Sequence, residues 1–289
     1  MNKETVVYKQ AGNCRIQADI YPAEAKGSPV IMFIHGGALI WGSRQNIFPE
    51  QVELYHRAGF GVIAIDYRLA PETKLELIIE DVRDAIGWIR NRAGIDYDLN
   101  PERLAVVGSS AGGYLGLLSG TFEDKPEAIV SFYGYGDITA DWFAEPSPFY
   151  CQRAPVSKER AYRSIQNEAV AEGNRDRFYY YLYCRQTGRW VPEVSGYDPG
   201  NERDKLQEFC PQYKVTKGFP PALLLHGDED NDIPYSESIN MARKLEDMGI
   251  ENKLIILKGQ GHVFDRDLKD KQVREAFDEV LSFLREHMG

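Results

Sequence analysis

Cysteine, basic charge and long hydrophobic runs are all scarce in this chain of 289 residues. Its 34 lysines and arginines are outnumbered by 44 aspartates and glutamates, which gives a net charge of −10. Nucleic-acid binding needs a basic surface, so we expect no nucleic-acid partner. We expect most of the carboxylates to lie on the solvated surface, where they favour solubility.

The four cysteines are scattered without the CxxC spacing that is typical of zinc sites and redox motifs: Cys14, Cys151, Cys184 and Cys210. We therefore expect reduced thiols in a cytoplasmic protein rather than a disulfide framework. Glycines and a histidine interrupt the most apolar early stretch, residues 30–41. A membrane span needs about 20 apolar residues, so we expect no membrane partner. The first ten residues contain no apolar segment of the signal-peptide type.

Short apolar runs of the buried-strand type alternate with amphipathic stretches. The runs occupy residues 30–34, 61–67, 103–108, 128–133, 221–225 and 254–257. Apolar residues recur with helical spacing in 75–92, 236–248 and 273–287. Residues 100–102 predict a cap or a turn before the next strand, and residues 5–21 alternate as an antiparallel edge hairpin would. This order predicts an α/β fold with a mostly parallel central sheet flanked by helices.

One region interrupts the alternation after the sixth predicted strand. Residues 138–218 contain no clean strand run and are rich in tyrosine, arginine and proline. We predict a core domain formed by residues 1–137 and 219–289, with residues 138–218 as a helical cap insertion. The aromatic cluster at 178–183 has two interpretations, a substrate-binding pocket or the apolar core of the insertion, and the second is the more common use of such clusters.

The segment GSSAG, residues 108–112, fits the G-x-S-x-G pattern of a nucleophile elbow. It follows an apolar strand run and precedes a short stretch of small residues, as the motif requires. The glycines allow a sharp turn without clashes, and the following helix N-terminus offers N–H groups to an anion. The pattern predicts Ser110 as a nucleophile.

A glycine-rich loop, His35 to Ala38, follows an earlier strand run and has the form of the loops that supply oxyanion-hole amides. Such N–H groups stabilise the negative oxygen of a tetrahedral acyl intermediate. The expected donors are the amides of Gly37, Ala38 and Ala111, with Gly36 as a substitute. The other interpretation of the loop is a tight turn at the end of a strand.

A serine nucleophile needs a base, and the chain has five histidines. His262 lies in a glycine-flanked loop just after the last strand run, which predicts it as the general base. The orienting acid should lie between Ser110 and His262 in the chain. Four carboxylates are available there: Asp228, Glu229, Asp230 and Asp232. Their spacing resembles a calcium loop, but Ile233 and Ile239 occupy the positions that need glycine and glutamate, so we expect no metal.

Taken together, these motifs resemble those of α/β-hydrolases of the carboxylesterase type. GSSAGG at 108–113, HGGA at 35–38 and DYRLAPE at 66–72 resemble the hormone-sensitive-lipase-like group. Residues 226–234 resemble instead the HGxxDxxVP turn of dienelactone-hydrolase-like proteins and of feruloyl and acetyl esterases. This resemblance assigns the acid to Asp230, with Asp232 as the alternative. The elbow departs from the lipase-like group, because Ser109 stands where that group usually has aspartate.

The resemblance implies a serine esterase in which Ser110, His262 and Asp230 act as a triad on a small or short-acyl ester, without a cofactor. Acetylated or feruloylated carbohydrate is a substrate class that it suggests. Two alternatives use the same residues or the same fold: an amide or peptide hydrolase with this triad, and a non-catalytic ligand-binding protein. The charged residues of 66–72 are expected to brace their loop rather than to contact substrate.

Overall fold

The computed structural model describes residues 3–289. Eight strands form one sheet: β1 (Glu4–Ala11), β2 (Cys14–Tyr21), β3 (Ser28–Ile34), β4 (Gly61–Ile65), β5 (Leu99–Ser109), β6 (Ala128–Phe132), β7 (Ala222–Gly227) and β8 (Asn252–Leu257). Five helices belong to the same unit: α1 (Pro49–Arg57), α2 (Leu75–Tyr97), α3 (Ala111–Ser119), α10 (Ser236–Asp247) and α11 (Lys271–Met288). Among residues 3–289, no helix is both long and apolar enough to cross a bilayer.

The strand order is β1-β2-β4-β3-β5-β6-β7-β8. β1 and β2 form the antiparallel edge hairpin and β2 pairs antiparallel with β4, while every pairing from β4 to β8 is parallel. The predicted fold class is therefore confirmed. The predicted cap or turn at 100–102 is wrong. Asn100 pairs with Pro29 inside the sheet. The register then shifts at a bulge, so that the next residue of β3, Val30, pairs with Leu104.

Side chains of the strands alternate between two apolar layers, as strand geometry requires. Ile31 and Phe33 of β3 face a layer that includes α1 and α11, whereas Met32 and Ile34 face α2 and α3. α10 covers the β6 and β7 end on the same side as α3. Burial on both faces explains why the parallel strands read as continuous apolar runs in the sequence.

Residues 138–218 form six short helices between β6 and β7, and we refer to this segment as the helical insertion. They are α4 (Asp141–Ala144), α5 (Lys158–Tyr162), α6 (Phe178–Thr187), α7 (Trp190–Ser195), α8 (Arg203–Gln207) and α9 (Pro211–Lys214). Most of the aromatic cluster 178–183 packs inside the insertion, with Tyr180 and Tyr181 buried. The insertion shares one continuous apolar layer with α2 and α3.

Buried ion pairs connect the loop after β4 to the insertion, to α2 and to the segment after β3. Arg177 donates to Glu72 at 2.6 Å, and both side chains are almost fully buried. Arg68 pairs with Asp81, and Arg44 pairs with Asp66. The charged residues of 66–72 thus brace their loop. Not all carboxylates are solvated as expected, since several are buried: Asp19, Asp66, Asp81, Asp137, Glu237 and Asp265.

Candidate active site

Ser110 sits at a sharp turn between β5 and α3. Its φ is +58°, in a region that non-glycine residues rarely occupy, and such strain is typical of a nucleophile elbow. A Cβ on Gly108 would lie 2.2 Å from the Gly112 carbonyl oxygen, and one on Gly112 would lie 2.0 Å from the Ile34 carbonyl oxygen. Glycine is therefore required on both sides of the serine, because any side chain would displace backbone.

The three residues predicted as nucleophile, base and acid lie in one chain of hydrogen-bonding contacts. Nε2 of His262 is 3.1 Å from Oγ of Ser110. Nδ1 of His262 donates to Oδ2 of Asp230 at 2.6 Å. The three residues come from loops after β5, β8 and β7, so the carboxyl ends of parallel strands bring together positions that are far apart in the sequence.

Asp230 is held ionised from several directions. Its Oδ1 accepts the backbone N–H groups of Asp232 and Ile233, at 2.8 and 2.9 Å. Its Oδ2 lies 3.3 Å from Nε2 of His226, which is fully buried at the end of β7. Burial opposes ionisation, but the hydrogen bonds from His226 and His262 outweigh it and hold the pKa of Asp230 below its usual range.

Asp232 lies on the other side of the imidazole. Its Oδ2 is 3.7 Å from Nε2 of His262, the atom that faces Ser110. Its Oδ1 accepts hydrogen bonds from the Tyr181 hydroxyl at 2.5 Å and from Arg185 at 3.0 Å, both on α6. Asp230 therefore contacts Nδ1 of His262, whereas Asp232 lies beside Nε2, the atom that faces Ser110.

His262 is surrounded by negative charge. Burial would lower its pKa, but the hydrogen bond to Asp230 and the charges of Asp232, Asp230 and Asp265 have a larger combined effect, so the net shift is upward. The environment thus favours the imidazolium, the form that a general base adopts after it accepts a proton.

The expected oxyanion loop lies beside the elbow. Gly37 and Ala38 both have positive φ, at +113° and +54°. Within residues 3–289, no protein oxygen accepts a hydrogen bond from the N–H of Gly37, Ala38 or Ala111. The carbonyls of the loop, by contrast, are engaged, since that of Ala38 accepts from Nε1 of Trp190 at 3.1 Å. Three free donors therefore remain near Ser110.

A cavity of about 100 Å³ contains Ser110, His262 and this loop. Its remaining walls include Phe33, Trp41, Phe48, Tyr133, Val263, Asp265 and Arg266. Among the described residues, none of the aromatic cluster 178–183 lines it; Phe178 and Tyr181 pack behind Trp41 instead.

Sequence reasoning missed three residues that surround the site: Arg185, Trp190 and Asp265. The first two lie in the helical insertion, where no motif indicates which side chains turn towards the core. Asp265 follows His262 by three residues, and this short separation was the only feature of the sequence that could have indicated a place near the site. Elsewhere in the described part of the chain, Glu251, Glu286 and His287 bring ligand atoms within 4.8 Å of one another. That group includes none of the residues around Ser110.

Comparison with known proteins is consistent with this fold. A family model described as alpha/beta hydrolase fold matches residues 31–266, and the chain belongs to that family. Among solved structures, an alpha/beta hydrolase superfamily protein from Enterococcus faecalis is similar with a TM-score of 0.80 and 24% identity, over 99% of each chain. The thermophilic esterase Est2 of Thermogutta terrifontis has a TM-score of 0.69 and 20% identity, over 98% of this chain and 92% of that one.

Two further proteins are similar to this chain. An acetyl ester-xyloside bifunctional hydrolase from Caldicellulosiruptor lactoaceticus has a TM-score of 0.74 and 17% identity, over 98% of this chain and 96% of that one. A non-reducing polyketide synthase, ausA of Aspergillus calidoustus, is 30% identical over 99% of this chain. The chain spans only 14% of that synthase, so it corresponds to a small part of a much larger protein.

The close approach at the elbow gives a stability prediction. Gly112→Ala should lower the midpoint of thermal unfolding strongly, because its Cβ would meet the Ile34 carbonyl oxygen at 2.0 Å. Gly87→Ala in α2 is the matched control, since a Cβ there meets nothing within 4 Å. Alanine favours a helix interior by about 1 kcal/mol over glycine, so the control should be neutral or stabilising. Equal midpoints for the two variants would contradict the prediction.

Proposed function

We propose that this protein is a serine hydrolase that cleaves small or short-acyl carboxylic esters. The observation that supports this most directly is the continuous contact chain from Ser110 through His262 to Asp230, at 3.1 and 2.6 Å. Ser110 and His262 line one cavity with Gly37 and Ala38, whose N–H groups are free, and the free N–H of Ala111 follows Ser110 directly in the chain. This combination of nucleophile, base, orienting acid and anion donors is what acyl transfer requires.

The first half of the proposed reaction forms an acyl-enzyme. Oγ of Ser110 attacks the ester carbonyl carbon while its proton passes to Nε2 of His262. Asp230 keeps Nδ1 protonated, so that Nε2 is free to accept, and its charge stabilises the imidazolium. When the tetrahedral intermediate collapses, the bond to the alcohol oxygen breaks. His262 then returns the proton from Nε2 to that oxygen, and the alcohol leaves.

The second half releases the acid. Water attacks the acyl carbon and gives a proton to Nε2 of His262, and the bond to Ser110 breaks as that proton returns to Oγ. In both halves the negative oxygen of the intermediate would accept from the amides of Gly37, Ala38 and Ala111. Loss of one such donor typically costs a factor of about 10² to 10³ in kcat. No step requires a cofactor.

The helical insertion is proposed to act as a cap that covers the substrate, and residues 1–137 with 219–289 form the catalytic core. The insertion contacts the loops on both sides of Ser110, through Trp190 and Arg185. Acetylated carbohydrate is one substrate class within the proposal, supported by a structural relative that is described as an acetyl ester-xyloside hydrolase. Feruloylated carbohydrate is the bulkier member of the same class.

The nucleophile assignment is tested by Ser110→Ala with p-nitrophenyl acetate as substrate. Hydrolysis should fall to the background rate, because no other group of the site can form the acyl-enzyme. Ser119→Ala is the control; its hydroxyl is buried in the same helix and donates only to Gly116, so its activity should stay near that of the wild type. A fluorophosphonate probe should label the wild type and not Ser110→Ala. Substantial turnover by Ser110→Ala would reject the proposal.

The size of the cavity predicts a preference for short esters. In a p-nitrophenyl series from acetate to palmitate, kcat/KM should be highest for the shortest chains, because about 100 Å³ holds only a few carbon atoms. Phe48→Ala, which removes one wall of the cavity, should raise the activity on hexanoate relative to that on acetate. An optimum at ten or more carbons in the wild type would contradict this part of the proposal.

Two carboxylates next to His262 are separated by a matched pair of variants. Asp230→Asn should lower kcat by about 10⁴, since an amide at Nδ1 favours the wrong imidazole tautomer. Asp232→Asn should change kcat by roughly tenfold or less, because Asp232 makes no contact with Nδ1. The rates are compared on p-nitrophenyl acetate, with circular dichroism as the check of folding. The reverse order of the two losses would assign the acid to Asp232.

A further inference from the structure

A second carboxylate lies behind the elbow and takes no part in the steps described above. Asp265 is 3% exposed and belongs to the 3-10 helix Phe264–Arg266, which follows directly on the loop that carries His262. Its side chain forms part of the wall of the Ser110 cavity. A buried charge at this place requires a physical explanation, because burial of an ion is costly unless something compensates it.

Its hydrogen-bond partners come from three separate elements, and all of them are neutral. Oδ2 accepts from Oγ of Ser109 in the elbow and from Nε2 of Gln51 in α1, each at 3.1 Å. Oδ1 accepts from the hydroxyl of Tyr133 at the end of β6. Within residues 3–289 Asp265 has no ion pair, and the neighbouring Arg266 extends over the Phe48 ring instead, with 4.9 Å to the centroid. These neutral donors form hydrogen bonds to the carboxylate, but no cation in the described residues forms an ion pair with it.

Tyr133 connects this carboxylate to the imidazole. The rings of Tyr133 and His262 are in contact, with centroids 4.6 Å apart and planes inclined by 57°. The φ of Tyr133 is +39°, an unusual value for an aromatic residue, so the surrounding contacts hold it there. Asp265 thus contacts the turn of Ser110 through Ser109. Through Tyr133 it also contacts the ring that packs against His262.

We propose that Asp265 is a positioning residue for His262, which fixes the imidazole through Tyr133 and stabilises the imidazolium by its own buried charge. This inference rests on the proposed serine-hydrolase function. It adds a third carboxylate to Asp230 and Asp232, and this one reaches the imidazole through the Tyr133 ring. Asp265 touches no substrate atom in this scheme.

Titratable and charged groups face His262 from several elements. Asp230 and Asp232 lie in the loop after β7, Tyr133 at the end of β6, and Asp265 in the loop of His262 itself. The cation Arg266 also lines the cavity, with its guanidinium over the Phe48 ring. The charge of Asp232 is partly neutralised by Arg185, at 3.0 Å. That of Asp265 has no such partner, so removal of it should destabilise the imidazolium directly. Since all three carboxylates raise the pKa of His262, the acid limb of kcat/KM should lie above pH 6.5, about the ordinary histidine value.

The test is the pH profile of p-nitrophenyl acetate hydrolysis in Asp265→Asn. Neutral His262 is the active base, so activity falls as the pH drops through its pKa. In Asp265→Asn the acid limb should move to lower pH, and kcat at the plateau should fall roughly 10- to 100-fold, a part of the 10²- to 10⁴-fold effect of general base catalysis. KM should change little. The thermal midpoint should stay near that of the wild type, because the variant removes an uncompensated buried charge.

A role limited to structure would give a different pattern, namely a lower thermal midpoint with an unmoved acid limb. An acid limb and a kcat equal to those of the wild type would also overturn the inference. Fluorophosphonate labelling of the wild type distinguishes a failure of the Asp265 role from a failure of the proposed function. If the wild type is labelled and active while Asp265→Asn is unchanged, only the role of Asp265 fails; if the wild type neither labels nor hydrolyses, the proposed function itself fails.

A charge-relocation variant keeps the inference testable if the single variant does not fold. In the double variant Ser109→Asp with Asp265→Ser, the hydroxyl and the carboxylate of the 3.1 Å contact change places. A carboxylate therefore stays in the same cavity. Its acid limb should lie close to that of the wild type, and above that of Asp265→Ser alone. A double variant whose acid limb stays as low as that of Asp265→Ser would show that charge at this place does not act on His262.

Discussion

The arrangement of the whole site depends on one contact of backbone against backbone, where the elbow after β5 meets the loop after β3. These strands are parallel neighbours, so their carboxyl ends emerge side by side. A Cβ on Gly112 would lie 2.0 Å from the Ile34 carbonyl oxygen, and one on Gly36 would lie 2.8 Å from that of Ser109. With glycine at both places the two loops touch. The loop that carries Gly37 and Ala38 therefore lines the same cavity as Ser110.

The second constraint on the site is its excess of negative charge, which raises the pKa of His262. Three carboxylates surround His262, and Arg185 forms an ion pair with one of them, Asp232. A site built in this way favours positive charge on the imidazole and disfavours an anion at the same place. The oxyanion of the proposed intermediate would therefore depend on N–H donors in its immediate surroundings. Gly37 and Ala38 line the same cavity as Asp232 and Asp265, so these donors and the acidic groups act on one small space.

The sequence predicted the fold class and the residues that now lie in contact, because each carries a local signal. Ser110 lies in a glycine-bounded turn, and His262 lies in a glycine-flanked loop after a strand run. The sequence alone did not distinguish the four carboxylates at 228–232, and a family resemblance was needed to select Asp230. Which of these side chains turns inward depends on the backbone conformation of the loop, and no local pattern in the sequence records it. Asp265, Trp190 and Arg185 could not be predicted. Their importance arises from contacts with residues that are distant in the sequence, and no local pattern records such contacts.

These distant contacts show that the helical insertion does more than enclose a volume. Trp190 donates to the carbonyl of Ala38, and Arg185 holds Asp232, so the insertion contacts both the loop with the anion donors and the turn with the acid. A typical buried hydrogen bond contributes about 1 kcal/mol, and bonds to a charged group contribute more. A change in how the insertion packs would therefore move the loops that carry Ala38 and Asp232. If the insertion acts as the proposed cap, the same helices determine both the substrate boundary and the geometry of the proposed chemistry.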